Sequence, residues 1–478
     1  MYKLSQELIK ELKEHSINYC HWKSNLLLNE ALDGYDDLDL LVSRADITEF
    51  EIVLLSLGFK EASNNKISFS SIKHFYGYDN ESGEILHLHI YYQIKTGPSW
   101  TKSIHFNFEE YILNNLIIHE SGMPIPQKYI ELPIFIFRVM LKYSKINEFI
   151  LVNREHQRTI KEIAYLQNSV DKKRVEEFLK QYFPNISLDE FYSYIDTIIN
   201  GTKLKRYRDG KKLKNRLKNY KYLSFVEDYR NNILQLSYRV SNKLFYKEKK
   251  KLHSAGAMIV IAGLDATGKT TVTDELKNWL GKNLTVSLFH FGKPNSTILT
   301  YPFNFLIKLM RKRYKDSTLK SSIKRDEKPK SLLYILRQIV LAYDRYTLVK
   351  KYYKKVSMGE IVLVDRYKSE NYGVMDSKRV NPNEYRGIKR ALAKFENSIY
   401  DKMPIPDILF YLTVPVEVAV IRNRDRIKEG KESEEFIRVR HTQNRDLTYI
   451  AKYNYKIDTD QDYKDEIRDI KSKIWRIL

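Results

Sequence analysis

Across 478 residues the chain carries one cysteine, Cys20. That excludes an internal disulfide framework and a cysteine-built zinc site, and it suits a reducing compartment. Long apolar runs are missing too. No stretch is apolar enough to span a bilayer, and the N-terminal MYKLSQELIKELKEHSINYC reads as a charged amphipathic helix without the apolar centre of a signal peptide. A cytoplasmic location is therefore expected. No internal repeat or low-complexity tract is evident. Acidic residues are scarce in one place: from Lys203 to Lys221 the chain reads KLKRYRDGKKLKNRLKNYK, with Asp209 the sole acid, in a protein of formal charge +22. Such a run could grip nucleic acid or an anionic membrane. A solvated helix face in a lysine-rich protein is the favoured reading.

The length predicts two or three domains. Residues 1–124 read as a small α+β domain: helix near 5–15, the acidic apolar stretch DDLDLLV at 36–42, a helix over 46–59, and strands within 68–78 and 84–94. In the last run Leu86, Leu88 and Ile90 share one face, with His87 and His89 on the other. Residues 125–253 read as mainly helical, with segments at 129–143, 155–166, 172–183 and 188–200. Residues 254–478 alternate apolar runs with amphipathic ones. MIVIAG (258–263), TVSLFHF (285–291), EIVLVD (360–365) and DILFYLTV (407–414) are nearly continuous apolar strands, the pattern of a parallel sheet covered by helices on both faces.

The first of these strands runs into G263-L264-D265-A266-T267-G268-K269-T270-T271 and then a helix at about 270–280. This is the complete G-x-x-x-x-G-K-[ST] pattern in its strand–loop–helix setting. Gly263 and Gly268 let the loop curl so that backbone N–H groups from Asp265 to Thr271 face phosphate oxygens, and the helix N-terminus adds a favourable field. Lys269 reaches the terminal phosphates, and Thr270 offers its hydroxyl to Mg²⁺. The fold expected for this region is an α/β P-loop NTPase, with ATP and Mg²⁺ as cofactors.

VDRY at 364–367 puts Asp365 just past a strand, at the edge where parallel sheets bind ligands. An acid there can hold Mg²⁺ waters or the acceptor, and Arg366 can grip a phosphate bidentately. A surface salt bridge is the alternative. Ala342-Tyr343-Asp344-Arg345 falls in a helix, where a surface ion pair is again the alternative. RNRDR (422–426) and RVRH (438–441) bracket IKEGKESEE. This suits a mobile lid that brings arginines, Arg424 and Arg438 among them, onto the transferring phosphoryl group. A charged helical hairpin is its alternative.

Together these positions resemble the thymidylate kinase family of nucleoside monophosphate kinases over about 256–478. The family loop runs close to G-L-D-G-S-G-K-S-T, its helix motif ends in A-x-D-R as at Ala342–Arg345, and its G-x-x-V-x-x-D-R-Y stretch matches Gly359–Tyr367. Its P-D-x-x-x-x-L-x-V-P-x-E-V-A run is visible at Pro406–Ala419. The resemblance implies ATP–Mg²⁺ at Lys269 and Thr270. It places Asp365, Arg366, Tyr367 and Arg345 at the acceptor end, and the arginines around 422–440 in the lid. Departures fall on the acceptor side. HFGKP (290–294) replaces the R-E-P-G segment, the serine after D-R-Y is shifted, and 302–333 is longer and more basic than a minimal enzyme needs.

In H21-W22-K23-S24-N25…D37-L38-D39-L40-L41, the spacing predicts two carboxylates on one face of a strand and leucines on the other. Such a pair can hold two divalent ions for nucleotidyl transfer, or it can be a solvated acidic face. The segment resembles the nucleotidyltransferase superfamily, with Lys23-Ser24 in place of the turn and Asp37 and Asp39 as the metal pair. The third carboxylate expected on a later strand is replaced by His87 and His89.

The combined reading is an ATP-dependent kinase acting on a nucleotide, sugar or sugar phosphate, fused to a nucleotidyltransferase-like domain that could take a second nucleotide. A homodimer and a setting in surface-polysaccharide precursor synthesis are expected alongside. A nucleic-acid-binding regulatory or defence NTPase, and a scaffold with a degenerate N-terminal domain, are the competing classes.

Overall fold

The computed structural model describes residues 1–145, 156–292, 294–298, 300–303, 305, 331–425, 433–443 and 447–478. Contacts divide the chain into two compact units, Met1–Glu248 and Lys249–Leu478. No described helix is long and apolar enough to cross a membrane.

The first unit opens with α1 (Lys3–Glu14), which buries Leu4, Leu8 and Leu12 at helical spacing. Strands β1 (Tyr19–His21) and β2 (Leu38–Val42), helix α2 (Ile47–Ser56), and strands β3 (Lys60–Ser63), β4 (Ile72–Tyr78) and β5 (Ile85–Tyr91) follow. The strand order is β1-β2-β5-β4-β3, with β2 and β5 parallel and the other pairs antiparallel. One face carries Leu38, Leu40, Leu86, Leu88 and Ile90, packed with α1 and with Phe50 and Val53 of α2. The period of two puts Asp39, His87 and His89 on the other face.

Helices α3 (Lys128–Tyr143), α4 (His156–Gln167), α5 (Lys172–Tyr182), α6 (Leu188–Asn200) and α7 (Lys203–Arg216) come next. Asp171, Ser187 and Thr202 cap the last three through side-chain oxygens. These helices were expected as a separate middle region, but they share one apolar core with the sheet: Cys20, Trp22, Leu41 and Tyr91 pack with Ile130, Phe137, Phe178 and Phe191. The physical reason is that α3 has buried residues all around its circumference and needs cover on every side.

The basic run forms α7, and part of its charge is matched within the unit. Lys205 pairs with Asp196 at 3.4 Å, Lys212 with Glu190 at 3.1 Å, and Lys214 with Asp228 at 3.1 Å. Buried Arg206 donates to the Thr197 carbonyl at 3.3 Å and contacts His156 Nε2 at 3.0 Å.

In the second unit β6 (Met258–Gly263), α8 (Lys269–Gly281), β7 (Val286–His290), α9 (Leu332–Val356), β8 (Ile361–Asp365), α10 (Gly387–Asp401), β9 (Ile408–Thr413), α11 (Val416–Asp425), α12 (Glu434–Gln443), β10 (Tyr453–Asp458) and α13 (Tyr463–Ile477) build a layered α/β domain. Its five strands are all parallel, in the order β7-β8-β6-β9-β10. The central strands are buried along nearly their whole length, which explains their unbroken apolar sequences.

Helix α7 crosses α3 at Gly210, where an added Cβ would lie 2.6 Å from the Met140 carbonyl oxygen and 3.0 Å from the Ser144 nitrogen. Both neighbours are backbone and cannot swing aside. Gly210→Ala gains helix propensity but forces the two helices apart, so a net loss of ~1–2 kcal/mol is expected. Denaturant titration of the first unit's transition checks this, and an unchanged midpoint would refute the close approach.

Candidate active site

Strand β6 ends at Gly263, where a Cβ would meet the Leu412 carbonyl oxygen at 2.6 Å and Thr267 Oγ1 at 2.7 Å. The chain then curls through Ala266 (φ +64°) and Gly268 (φ +85°) into α8. Left-handed backbone costs an alanine about 1–2 kcal/mol, so the loop's path is imposed by its surroundings. Thr267 Oγ1 donates to the Leu264 carbonyl at 2.9 Å, and the Lys269 ammonium donates to the same oxygen. Burial pushes Lys269 down to about 8, against the pull of Asp265. Thr270 and Thr271 stand exposed in the first turn of α8. The loop and its lysine are thus pre-shaped around a place for phosphate oxygens.

Register across the sheet brings Asp365 to this loop, because Ile261 of β6 pairs with Asp365 of β8. Its Oδ1 is buried and lacks a hydrogen-bond partner, while His290 Nε2 stands 3.9 Å from its Oδ2. Arg366 has φ +68°, which lets its guanidinium reach Asp265 Oδ1 at 3.3 Å and Asp376 Oδ2 at 3.8 Å. Arg440 donates to the other oxygen of Asp265, and His441 Nε2 lies 2.9 Å from the Asp265 carbonyl. Asp265 therefore gathers both arginines beside Lys269.

Arg345 is only 2% exposed. It donates to Tyr400 Oη at 2.7 Å and to Asp376 at 2.6 Å, under the face of Phe291. The pair Asp344–Arg345 is thus no surface ion pair, and Arg345 positions Asp376 from within the core. Tyr367, expected at the acceptor, turns inward instead: it packs on Phe291 and donates to the Pro404 carbonyl at 2.6 Å. Its position just past the strand sends it to the apolar side, where HFGKP's Phe291 and Tyr400 also lie.

The arginines of the expected lid divide. Arg424 pairs with Glu434 at 2.9 Å and Arg438 with Glu417 at 2.7 Å, both on the surface. Among the described lid arginines, Arg440 reaches the loop. Two residues along a helix is about 200° of rotation, so Arg438 and Arg440 face opposite ways. Residues 426–432, at the centre of the expected lid, lie outside the described residues, as do Lys293 and 306–330 of the acceptor-side segments. Beside the loop a cavity of about 460 Å³ is lined by Leu264, Thr267, Leu412, Pro415, His441 and Asp458. That volume suits a nucleoside-sized group.

The residues fit ATP and Mg²⁺. Thr270 and the unpartnered Asp365 oxygen are hard oxygen donors, and Mg²⁺ is commonly held by one or two such groups plus phosphates and water.

The aspartates of the first unit are arranged differently from the metal pair expected. Asp37 lies before β2, and its Oδ1 is 2.5 Å from His87 Nδ1; His87 Nε2 is in turn 3.0 Å from His74 Nδ1. Asp39 holds the Lys23 ammonium at 2.6 Å and His89 at 3.0 Å. Burial pushes the Asp39 carboxyl up, but Lys23 and His89 outweigh it and hold it well below the usual carboxylate range. A lysine ammonium on Asp39 occupies the charge a divalent ion would need. No group of three metal-binding side chains occurs among the described residues.

These features define a P-loop kinase domain in the second unit. Residues 261–474 match the family model described as Thymidylate kinase. Two Prochlorococcus marinus thymidylate kinases, from strains AS9601 and MIT 9301, are each 29% identical to the chain. Each match covers 42% of this chain and 87% of the relative. Among solved structures, thymidylate kinase from Candida albicans aligns at 16% identity over 47% of this chain and 91% of that one, with a TM-score of 0.26. The C-terminal region is thymidylate kinase-like, and the chain is an ATP-dependent kinase.

Asp376, Arg440 and His441 were not singled out in the sequence. The motif RVRH contained two of them, but only helix phase separates Arg440 from Arg438. If the geometry governs, Arg440→Ala should lower kcat/KM roughly tenfold or more, whereas Arg438→Ala should stay within about threefold of wild type. Steady-state kinetics on both variants decides it, and the reverse order would refute the assignment.

Proposed function

We propose that the second unit transfers the ATP γ-phosphoryl group to a small acceptor other than thymidylate, with Mg²⁺ held through Thr270 and Asp365. One observation carries this reading: Lys269, Asp365, Arg366 and Arg440 converge at the carboxyl edge of one parallel sheet, around a loop already shaped for phosphates. Lys269 follows the transferring group and neutralises its developing charge. Arg366 and Arg440 exchange Asp265 for phosphoryl oxygens when the nucleotide enters. Bound Mg²⁺ supplies Lewis-acid stabilisation of the phosphate oxygens.

Resemblance to thymidylate kinases supports nucleoside monophosphate kinase-like chemistry, but the acceptor end departs from that pattern. His290 and Gly292 replace the arginine–glutamate–proline–glycine segment. Ser369, the displaced serine, is buried against Ser377 at 2.8 Å. A sugar phosphate or an unusual nucleotide fits this departure better than thymidylate. Coupled nucleotidyl transfer would rest on Asp37 and Asp39, whose carboxylates already hold Lys23, His87 and His89, so phosphoryl transfer alone is proposed.

Lys269→Ala should leave the protein folded and cut phosphoryl transfer roughly thousandfold or more. The test is ATP turnover by the full chain against nucleoside monophosphates, sugars and sugar phosphates, with both products identified. Near-normal turnover by folded Lys269→Ala would overturn the kinase site. The highest kcat/KM falling on thymidylate would overturn the acceptor reading.

A further inference from the structure

In the first unit, four cationic side chains from distant parts of the chain meet on the polar side of the sheet. Lys23 follows β1, Lys102 comes from the loop beyond β5, and Arg138 and Lys142 lie one turn apart on α3, hence on one face. A cavity of about 150 Å³ is lined by Lys23, Tyr91, Lys95, Lys102, Arg138 and Lys142. A second, of about 140 Å³, adjoins Ser24, Arg158 and Glu162 and shares Arg138 and Lys142 as its wall. Aromatic rings frame the cluster. Lys23 and Arg138 stand 5.3 and 5.1 Å from the Trp22 ring centre, and Lys102 stands 5.2 Å from that of Tyr91.

Counter-charge is short. Asp39 is engaged by Lys23 and His89, and buried Glu162 across the second cavity feels the charge of Arg138, but neither Lys102 nor Arg138 makes an ion pair with a carboxylate among the described residues. Arg138 Nη1 is buried and has no hydrogen-bond partner. Among the described residues Lys102 donates only a long bond, 3.4 Å, to Tyr91 Oη, and its backbone is left-handed at φ +43°. Burial pushes Lys23 down to about 8 and Lys102 down to about 7, and each is lowered further by its cationic neighbours. Buried cations facing one another around open space are unfavourable by themselves, and a multiply charged anion removes the imbalance.

We propose that this pocket is an anion site that takes the phosphoryl group of a small phosphorylated ligand. Its volume lies below the range of about 300–1,000 Å³ that encloses a whole drug-sized ligand, so the phosphate enters and the remainder stays at the mouth. Guanidinium and ammonium donors converging on one point match tetrahedral phosphate oxygens, and Arg138 offers the free N–H that such an oxygen would accept. The site is separate from the loop at Lys269, being built entirely within Met1–Glu248.

The test is calorimetric titration of the full chain with inorganic phosphate, pyrophosphate and ATP, in wild type, Arg138→Gln, Lys102→Gln, Arg138→Lys and Lys269→Ala. A pyrophosphate or phosphate site should persist in Lys269→Ala. It should weaken roughly tenfold or more in Arg138→Gln and in Lys102→Gln, and recover in part in Arg138→Lys. In phosphate-free buffer the two Gln variants should melt no lower than wild type, because each removes a buried cation that makes no ion pair among the described residues. Stronger binding of pyrophosphate or ATP than of phosphate would assign a polyphosphate ligand, and equal binding a monophosphate. The proposal is overturned if no wild-type binding survives the loss of Lys269. It is equally overturned if both Gln variants bind as wild type does, or if they melt well below it.

Discussion

The pairing of Ile261 with Asp365 across two parallel strands is the constraint on which the candidate active site depends. Parallel strands end together, and their carboxyl ends open onto one edge. Here that edge receives the phosphate loop from β6 and the Asp365–Arg366 pair from β8. Everything else at the site is arranged relative to those two strand ends. Arg366 leaves the sheet in a left-handed conformation and turns back to Asp265, and Asp376, also left-handed at φ +69°, holds Arg366 and Arg345 from the far side. Strain at Ala266, Arg366 and Asp376 is tolerated because packed strands and a buried arginine over-determine their positions.

Much of this was legible because the controlling signals are local. A strand covered on both faces has to be apolar throughout, so β6, β8 and β9 announce themselves, and the loop after β6 follows from spacing alone. In the first unit, the alternation at Leu86–Ile90 correctly separated core from polar face. What was not legible depends on phase or on distance. Arg438 and Arg440 differ only by which way a helix turn points them. Tyr367 looks like part of a functional motif, yet its ring is needed by Phe291 in the core. Asp39 looks like a metal ligand until Lys23, sixteen positions earlier in the chain, is folded onto it. No spacing rule joins residues 23, 102, 138 and 142. Only the packing of α3 against the sheet does.

The two units handle buried positive charge in opposite ways. In the second, Arg345, Arg366 and Arg440 each meet a carboxylate, and Asp265 serves two of them. A ligand phosphate there competes with an existing partner, so binding requires exchange and rewards only an anion that does more than Asp265 does. In the first, Asp39 already has Lys23, and Lys102 and Arg138 stand in one another's field with no ion pair to either among the described residues. An anion there would meet Lys102 and Arg138 without first breaking an ion pair of either among the described residues.

Desolvation links both places. It lowers Lys269 to about 8 and Lys102 to about 7 because each ammonium has left water without full compensation. A bound phosphate reverses that balance, since it restores to the lysine the counter-charge that burial removed. The same displacement that makes these lysines poor ions in the free protein therefore makes them strong phosphate partners in the bound one, and their attraction acts in a region where water screens it little. In the second unit that attraction can be spent on a charge developing during transfer, because Lys269 lies at the end of a loop aimed at the reacting group. In the first unit the same physics serves to hold a phosphorylated ligand against Arg138 and Lys102.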